Sequence, residues 1–213
     1  MITLIQNRIA GLTYRAGKYP KKYHKKIKPY IAFTKATLLN PRSVGAACPS
    51  SPFLARAMAE QVDIKKDGYV IELGGGTGRI TRALLEHGIP PDKLITVEYS
   101  PELARHLREE FPDIQVLEGD AGKLDQLLGD SGNPPQHIKA IVSGLPLRSL
   151  PKSTVKAIKK NVYKLLDDKG LFIQFTYDLR TSSSQKKKFK LINSSVVYRN
   201  IPPARVNTYM KRV

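Results

Sequence analysis

The segment VIELGGGTGRIT, residues 70–81, runs from an apolar stretch through a glycine-rich turn into the start of a helical pattern. Strand, turn and helix in that order make a cradle for a nucleotide-like ligand. Gly74, Gly76 and Gly78 allow tight turning and close backbone approach, and the helix start offers free N–H groups. A glycine turn alone is weak evidence, because any strand-to-helix connection can use one. Here it has companions. Glu98 follows Gly78 by twenty residues at the end of the next strand pattern, where a carboxylate can accept hydrogen bonds from both hydroxyls of a ribose. Asp120, followed by Ala121 in the segment EGDA, ends the third strand pattern and is placed to take an adenine amino group. Tyr99 is positioned to pack on the adenine face. A solvated strand-end carboxylate explains Glu98 or Asp120 singly but not the series.

Outward from this segment the rhythm is strand, helix, strand. YVIEL (69–73), KLITVEY (93–99), IQVLEGD (114–120), IKAIVSG (138–144) and GLFIQFTY (170–177) read as strands. SSVVYRNI (194–201) and RVNTYMKR (205–212), joined by PPA, read as a closing pair. Helices are expected over 78–88, 101–111 and 152–166, and in PSSPFLARAMAEQV, with Ser51 as N-cap and Pro52 at the first helical position. The pattern predicts a doubly wound α/β sheet of seven strands ending in an antiparallel hairpin. Residues 180–190, RTSSSQKKKFK, are expected as a basic, flexible insert.

The 213 residues carry a formal net charge of +18, distributed unevenly. All 18 acidic residues lie between Glu60 and Asp178, so residues 1–59 and 179–213 are basic and wholly without acid. Such flanks point to an anionic polymer or a membrane surface. Ile2, Ile5, Ile9 and Leu12 fall on one helical face, and Tyr19, Tyr23 and Ile27 recur at spacings of four among lysines. Phosphate binding on RNA gives no reason for that stripe, whereas an interfacial helix needs the stripe, flanking lysines and aromatics at headgroup depth. Each base near an anionic bilayer contributes about 1 kcal/mol. Residues 1–40 are therefore expected as a membrane-docking arm and 41–213 as the catalytic domain. No apolar run is long enough to span a bilayer. With one cysteine, Cys48, no internal disulfide is possible, which suits a reducing compartment. His24, His87, His106 and His137 show no metal-ligand spacing, so no metal is expected.

The series Glu72-Gly74-Gly76-Gly78, Glu98 and Asp120 resembles the class I S-adenosylmethionine-dependent methyltransferases, whose glycine motif commonly reads E-x-G-x-G-x-G. The resemblance covers roughly residues 45–178 and implies a Rossmann-like fold with S-adenosylmethionine as cofactor. It implies that Glu72 and the three glycines line the methionine side, while Glu98 holds the ribose and Asp120 the adenine. A nicotinamide-binding domain fits less well, given the acid two residues before Gly74 and the antiparallel closing pair.

NPRSVGAACPSSPFLARAM, VEYSPEL, SGLPL, QFTY and above all YRNIPPARVNTYMKR resemble the bacterial phospholipid N-methyltransferases. That likeness implies methylation of phosphatidylethanolamine toward phosphatidylcholine by a cytoplasmic enzyme on the inner face of the cell membrane. The alternative is an rRNA adenine N6-dimethyltransferase. Enzymes that methylate a base usually show N/D-(L/P)-P-aromatic after the fourth strand, and here Ser143 and Leu147 replace the polar residue and the ring, leaving a flipped base nothing to stack on. The rRNA enzymes also carry a helical domain after the catalytic one, and here the sequence runs to the last strand pair. For the acceptor amine, Tyr177 at the end of the fifth strand is the first candidate, with carbonyls around Ser143 and Gly144 sharing the amine. Arg199 is a candidate ligand for the lipid phosphate or, equally, a structural partner. Tyr198 and Tyr209 are weaker candidates.

Overall fold

A computed structural model describes residues 50–180 and 188–212. The expected arm, including the Ile2–Leu12 stripe and the lysine run, and residues 181–187 of the expected insert lie outside the described residues, as does Cys48.

The strands are β1 (Tyr69–Leu73), β2 (Leu94–Glu98), β3 (Gln115–Glu118), β4 (Ile138–Ser143), β5 (Leu171–Thr176), β6 (Phe189–Val197) and β7 (Ala204–Lys211). The helices are α1 (Pro52–Ala59), α2 (Arg79–His87), α3 (Pro101–Glu110), α4 (Leu124–Asp130) and α5 (Lys152–Leu165). One seven-stranded sheet has the order β3-β2-β1-β4-β5-β7-β6. Strands β1 to β5 pair in parallel, and β7 runs antiparallel between β5 and β6. The doubly wound class with its closing hairpin is the one the sequence predicts.

Alternation along the strands divides the core. Val70, Val142, Ile173 and Val206 face a layer built by Leu54 and Met58 of α1, Leu84 of α2 and Leu107 of α3. Ile71, Leu73, Ile141 and Phe172 face the opposite layer, with Leu124 of α4 and Ile158 and Val162 of α5. Burial on both faces is why the parallel strands read as apolar runs rather than as alternating ones. Local chemistry sets the helix starts. Ser51 Oγ accepts from the Leu54 N–H, with Pro52 in the first turn, and Ser100 caps α3 in the same way with Pro101. Gly88 closes α2 in the left-handed conformation at φ 109°.

Strand β6 differs from expectation. It spans Phe189–Val197 rather than 194–201, so its first residues fall inside the segment expected as insert. Its ladder with β7 runs from Phe189↔Lys211 to Val197↔Ala204, with an irregularity between Leu191 and Asn193. Phe189 anchors the start, buried against Phe172 and Tyr163. At the other end Pro202 and Pro203 have no N–H to give a ladder, so YRNIPP becomes the connecting turn.

Candidate active site

The carboxyl ends of the parallel strands lie level. Leu73 is in register with Val97 of β2 and with Ser143 of β4, and Ser143 is in register with Gln174 of β5. In an open α/β sheet that edge is where ligands bind. The chain leaves β1 by a tight turn in which the Gly74 N–H bonds to Val97 O (2.8 Å), while the Gly144 N–H bonds to Leu73 O (2.8 Å) from the other side. Gly78 N-caps α2 at φ 75°, and a Cβ there would meet the Phe111 ring at 2.4 Å. A Cβ on Gly74 would meet Leu145 at 2.5 Å. Gly76 is different. Its φ is 54°, yet a Cβ there would have nothing within 4 Å among the described residues, so the crest of the turn faces open space.

Glu98 stands beside that space. One carboxylate oxygen, Oε2, accepts from the Gly76 N–H at 2.8 Å, and Oε1 accepts from the Ser100 N–H at 2.9 Å. These two bonds fix the carboxylate and leave lone pairs on both oxygens. The neighbouring Tyr99 side chain is exposed. Asp120 does not end β3. It caps the short 3₁₀ turn Ala121–Lys123, its Oδ1 accepting from the Gly122 N–H at 2.7 Å, and Asn161 of α5 holds that turn through Gly122 O at 2.7 Å. Ala121 is buried beneath it.

Glu72 is fully buried one layer below the glycine turn. Its Oε2 accepts from Thr81 Oγ1 at 2.6 Å and Thr96 Oγ1 at 3.0 Å, while Oε1 has no hydrogen-bond partner among the described residues. Burial pushes its pKa up to about 7, opposed by the two threonine hydrogen bonds, with the Glu98 charge adding to the rise. The sequence alone does not single out Thr81 and Thr96. Their signal was weak, a threonine inside an apolar helix face and another inside an apolar strand.

At the β4 and β5 ends, Ser143 is fully buried and its Oγ has no partner among the described residues; nor has the buried Oε1 of Gln174. Register pairing places both on the same face of the sheet. Gln174 is a further candidate, and a lone glutamine inside an apolar strand carries no local signal in the sequence. Tyr177 follows β5 directly, half-buried, its ring edge-on to Phe175 at 5.4 Å. The next residue, Asp178, gathers two exposed guanidiniums: Arg180 at 3.0 and 3.1 Å, and Arg148 from the loop after β4 at 2.5 Å. The Arg180 hydrogen bonds are the main reason that the Asp178 carboxyl lies well below the usual carboxylate range.

The β6–β7 turn lies at this same edge, since Ala204 pairs with Val197 and Arg205 with Thr176. Arg199 is exposed there, its guanidinium 4.0 Å from the Phe53 ring centroid. Asn200 is buried and joins two segments, its Oδ1 accepting from the Ser51 N–H (3.0 Å) and its Nδ2 donating to Pro202 O (2.7 Å). Tyr198 is exposed on the turn. Tyr209 sits elsewhere, in the core opposite Phe172 near the start of β5, away from the ligand edge. No group of three or more His, Cys, Asp or Glu side chains arranged to hold a metal occurs among the described residues.

These residues fit S-adenosylmethionine. The open crest at Gly76, a fixed ribose-type carboxylate at Glu98 and a buried, half-satisfied carboxyl at Glu72 suit a ligand that joins a nucleoside to a cationic amino acid. A family model described as a methyltransferase domain matches residues 70–170. The ornithine lipid N-methyltransferase of Singulisphaera acidiphila is 30% identical over 182 residues, which cover 84% of this chain and 94% of that protein. The ribosomal RNA small subunit methyltransferase A of Chlorobaculum parvum is 31% identical over 135 residues, 62% of this chain but only 43% of that enzyme. Among solved structures, TrmN from Thermus thermophilus superposes with a TM-score of 0.60 at 20% identity, covering 76% of this chain and 49% of that one. The fold and the site thus define a class I methyltransferase with S-adenosylmethionine as its cofactor. Within that class the chain belongs to the bacterial lipid N-methyltransferase family.

Proposed function

We propose that the enzyme transfers methyl groups to the primary amine of a lipid head group, phosphatidylethanolamine and its methylated intermediates, toward phosphatidylcholine, on the inner face of the cell membrane. The observation that carries this reading is the β4 end. Ser143 there, and Gln174 beside it on β5, bury oxygens without a partner among the described residues, which suit an N–H donor, and Leu147 turns into the core, so that no ring is offered to a flipped base. Likeness to the ornithine lipid enzyme over nearly all of its length supports a lipid amine as acceptor.

When bound, the cofactor supplies an electrophilic methyl group on a sulfonium. The chain's own residues do the rest. Glu98, held by the Gly76 and Ser100 N–H groups, orients the nucleoside, and Asp120 with Ala121 borders the adenine end. Ser143 Oγ and the backbone at Gly144 accept from the acceptor amine, and Tyr177 borders it from the β5 side. If that amine titrates like a lysine, near 10.4, only roughly one in two or three thousand molecules is neutral at pH 7. The acceptors at Ser143 and Gln174 therefore have a second task, holding the N–H bonds while the ammonium proton leaves for water, with Tyr177 at the mouth of the same strand end. Arg199, at the rim, is assigned to the head-group phosphate.

The test is transfer of labelled methyl from S-adenosylmethionine to vesicles of phosphatidylethanolamine and phosphatidylglycerol, with parallel reactions that replace the amine lipid by ornithine lipid or by ribosomal RNA. Label in phosphatidylethanolamine is expected. Label only in ornithine lipid would narrow the family assignment to another head group, and label only in RNA would overturn the lipid reading.

A further inference from the structure

The β6–β7 turn exposes two large side chains in the sequence Tyr-Arg-Asn-Ile-Pro-Pro, Tyr198 at 76% and Ile201 at 84% of full exposure. Phe53 of α1 and Leu179 after β5 are also exposed at this edge of the sheet. A soluble surface does not require this grouping, and the turn that carries it is braced. Asn200, buried between the two exposed residues, ties the turn to the start of α1 through the Ser51 N–H, and Arg199 stacks on Phe53. The surrounding charge has one sign. From residue 179 to the end the chain holds nine bases and no acid, and Arg180 and Arg199 stand exposed around the apolar tip. Arg205 braces the rim from behind by donating to Leu179 O. The tip shares its edge with Tyr177, Ser143 and the glycine turn, because β5, β7 and β6 all meet there.

We propose that this turn is an interfacial wedge. Tyr198 and Ile201 enter the headgroup region of an anionic bilayer while the neighbouring arginines engage lipid phosphates, which presses the acceptor end of the site against the lipid surface. Amphipathic tyrosine and an apolar side chain ringed by bases are the composition of an interfacial anchor. No helix of the described residues is long and apolar enough to cross a membrane, so attachment through the described part is at the surface. The wedge rests on the lipid-amine reading for its purpose, but it can fail separately.

The chain contains no tryptophan, so a single one reports without background. Ile201→Trp places it on the tip, and Ile64→Trp, an exposed position ahead of β1 at the opposite edge, serves as control. Full-length protein is mixed with phosphatidylethanolamine–phosphatidylglycerol vesicles, with and without brominated acyl chains. The expected result is a blue shift and bromine quenching for Ile201→Trp and neither for Ile64→Trp. The Ile201→Ser variant is expected to bind such vesicles about tenfold more weakly while methylating lipid dispersed in detergent at the wild-type rate. Unchanged Ile201→Trp emission on protein that sediments with vesicles would overturn the wedge. So would emission already blue in buffer, which would mean that the chain itself or a second copy covers the tip, or a shift produced by RNA and not by vesicles. Quenched tryptophan with no methylated lipid of any kind would sustain the wedge and sink the lipid-amine reading; methylated detergent-dispersed lipid with unquenched tryptophan would do the reverse.

Discussion

Ser143 and Gln174 stand opposite each other in the β4–β5 ladder, each burying an oxygen that no hydrogen-bond donor among the described residues reaches. An unsatisfied buried polar group costs about 1–3 kcal/mol, so such a pair persists where a ligand supplies the missing donor. Replacing Gln174 by leucine removes the unpaired oxygen at similar volume. The melting temperature of Gln174→Leu is expected to rise by roughly 2–4 °C, as about 1 kcal/mol does in a domain of this size. Its kcat/KM for lipid amine is expected to fall about tenfold or more, with cofactor affinity unchanged. Scanning calorimetry beside steady-state kinetics checks both, and a stabilised variant with full turnover would show that the amide takes no part in acceptor binding.

Tyr177 borders the same end of β5. Tyr177→Phe keeps the ring that lies edge-on to Phe175 and removes only the hydroxyl. Turnover is expected to drop about tenfold, the scale of one lost hydrogen bond to a charged group, with cofactor binding preserved. Titration calorimetry with the cofactor and single-turnover methylation separate the two effects, and unchanged turnover would remove the hydroxyl from the polar mechanism.

Much of this arrangement is legible in the sequence because it is local. The glycine turn, the Ser51-Pro52 and Ser100-Pro101 helix starts and the Gly88 stop are each specified within a few residues, and each is found where local chemistry puts it. The limits of β6 are not legible because its ladder with β7 is nonlocal and its first residues are basic and polar, which reads as loop. Helix α4, LDQLLGD, is too short to show a helical period in the sequence. Asp120 read as a strand end because EGD prolongs the β3 pattern, whereas its Oδ1 closes a 3₁₀ turn. The pairing of Ser143 with Gln174, and of Asn200 with Ser51, joins residues distant in sequence and leaves no local trace.

Glu98 links the glycine turn to the start of α3, accepting from Gly76 and Ser100 at once. Glu98→Ala leaves both N–H groups without this acceptor and removes the proposed ribose partner. Cofactor affinity is expected to fall at least about tenfold, the scale of one lost hydrogen bond to a charged group. Glu98→Asp is expected to lose nearly as much, since the shorter side chain cannot reach both donors. Equilibrium binding of S-adenosylhomocysteine checks this, and wild-type affinity in Glu98→Ala would exclude Glu98 from the nucleoside site.

The raised pKa of Glu72 makes stability depend on pH. An unfolded glutamate ionises near 4.5, whereas the folded one does so near 7. Between those values the folded state holds a proton that the unfolded state has lost, so stability falls as pH rises from about 4.5 to 7 and levels off above. The total is about 3 kcal/mol for a shift of this size. Glu72→Gln keeps an acceptor for Thr81 and Thr96 but does not titrate. Urea unfolding at pH 5 and pH 8 is expected to show the wild type losing stability relative to Glu72→Gln as pH rises. Parallel behaviour of the two proteins would mean that Glu72 ionises near its ordinary value.

Asn200 is the hinge pin between the β6–β7 turn and α1. Its carbonyl oxygen takes the Ser51 N–H, which lies ahead of the first helical turn, and its amide nitrogen satisfies Pro202 O in a turn where prolines cannot donate. Truncation to alanine leaves a buried donor and a carbonyl unpaired, at about 2 kcal/mol together. Asn200→Ala is therefore expected to melt roughly 4–8 °C lower. Asn200→Asp discriminates the two bonds, because the carboxylate still accepts from Ser51 but meets Pro202 O without a proton to give. If both bonds matter, Asn200→Asp should be destabilised as well, and limited proteolysis should cut both variants first near residues 198–203. Melting at the wild-type temperature in both variants would show that Arg199 on Phe53 and the β6–β7 ladder hold the turn unaided.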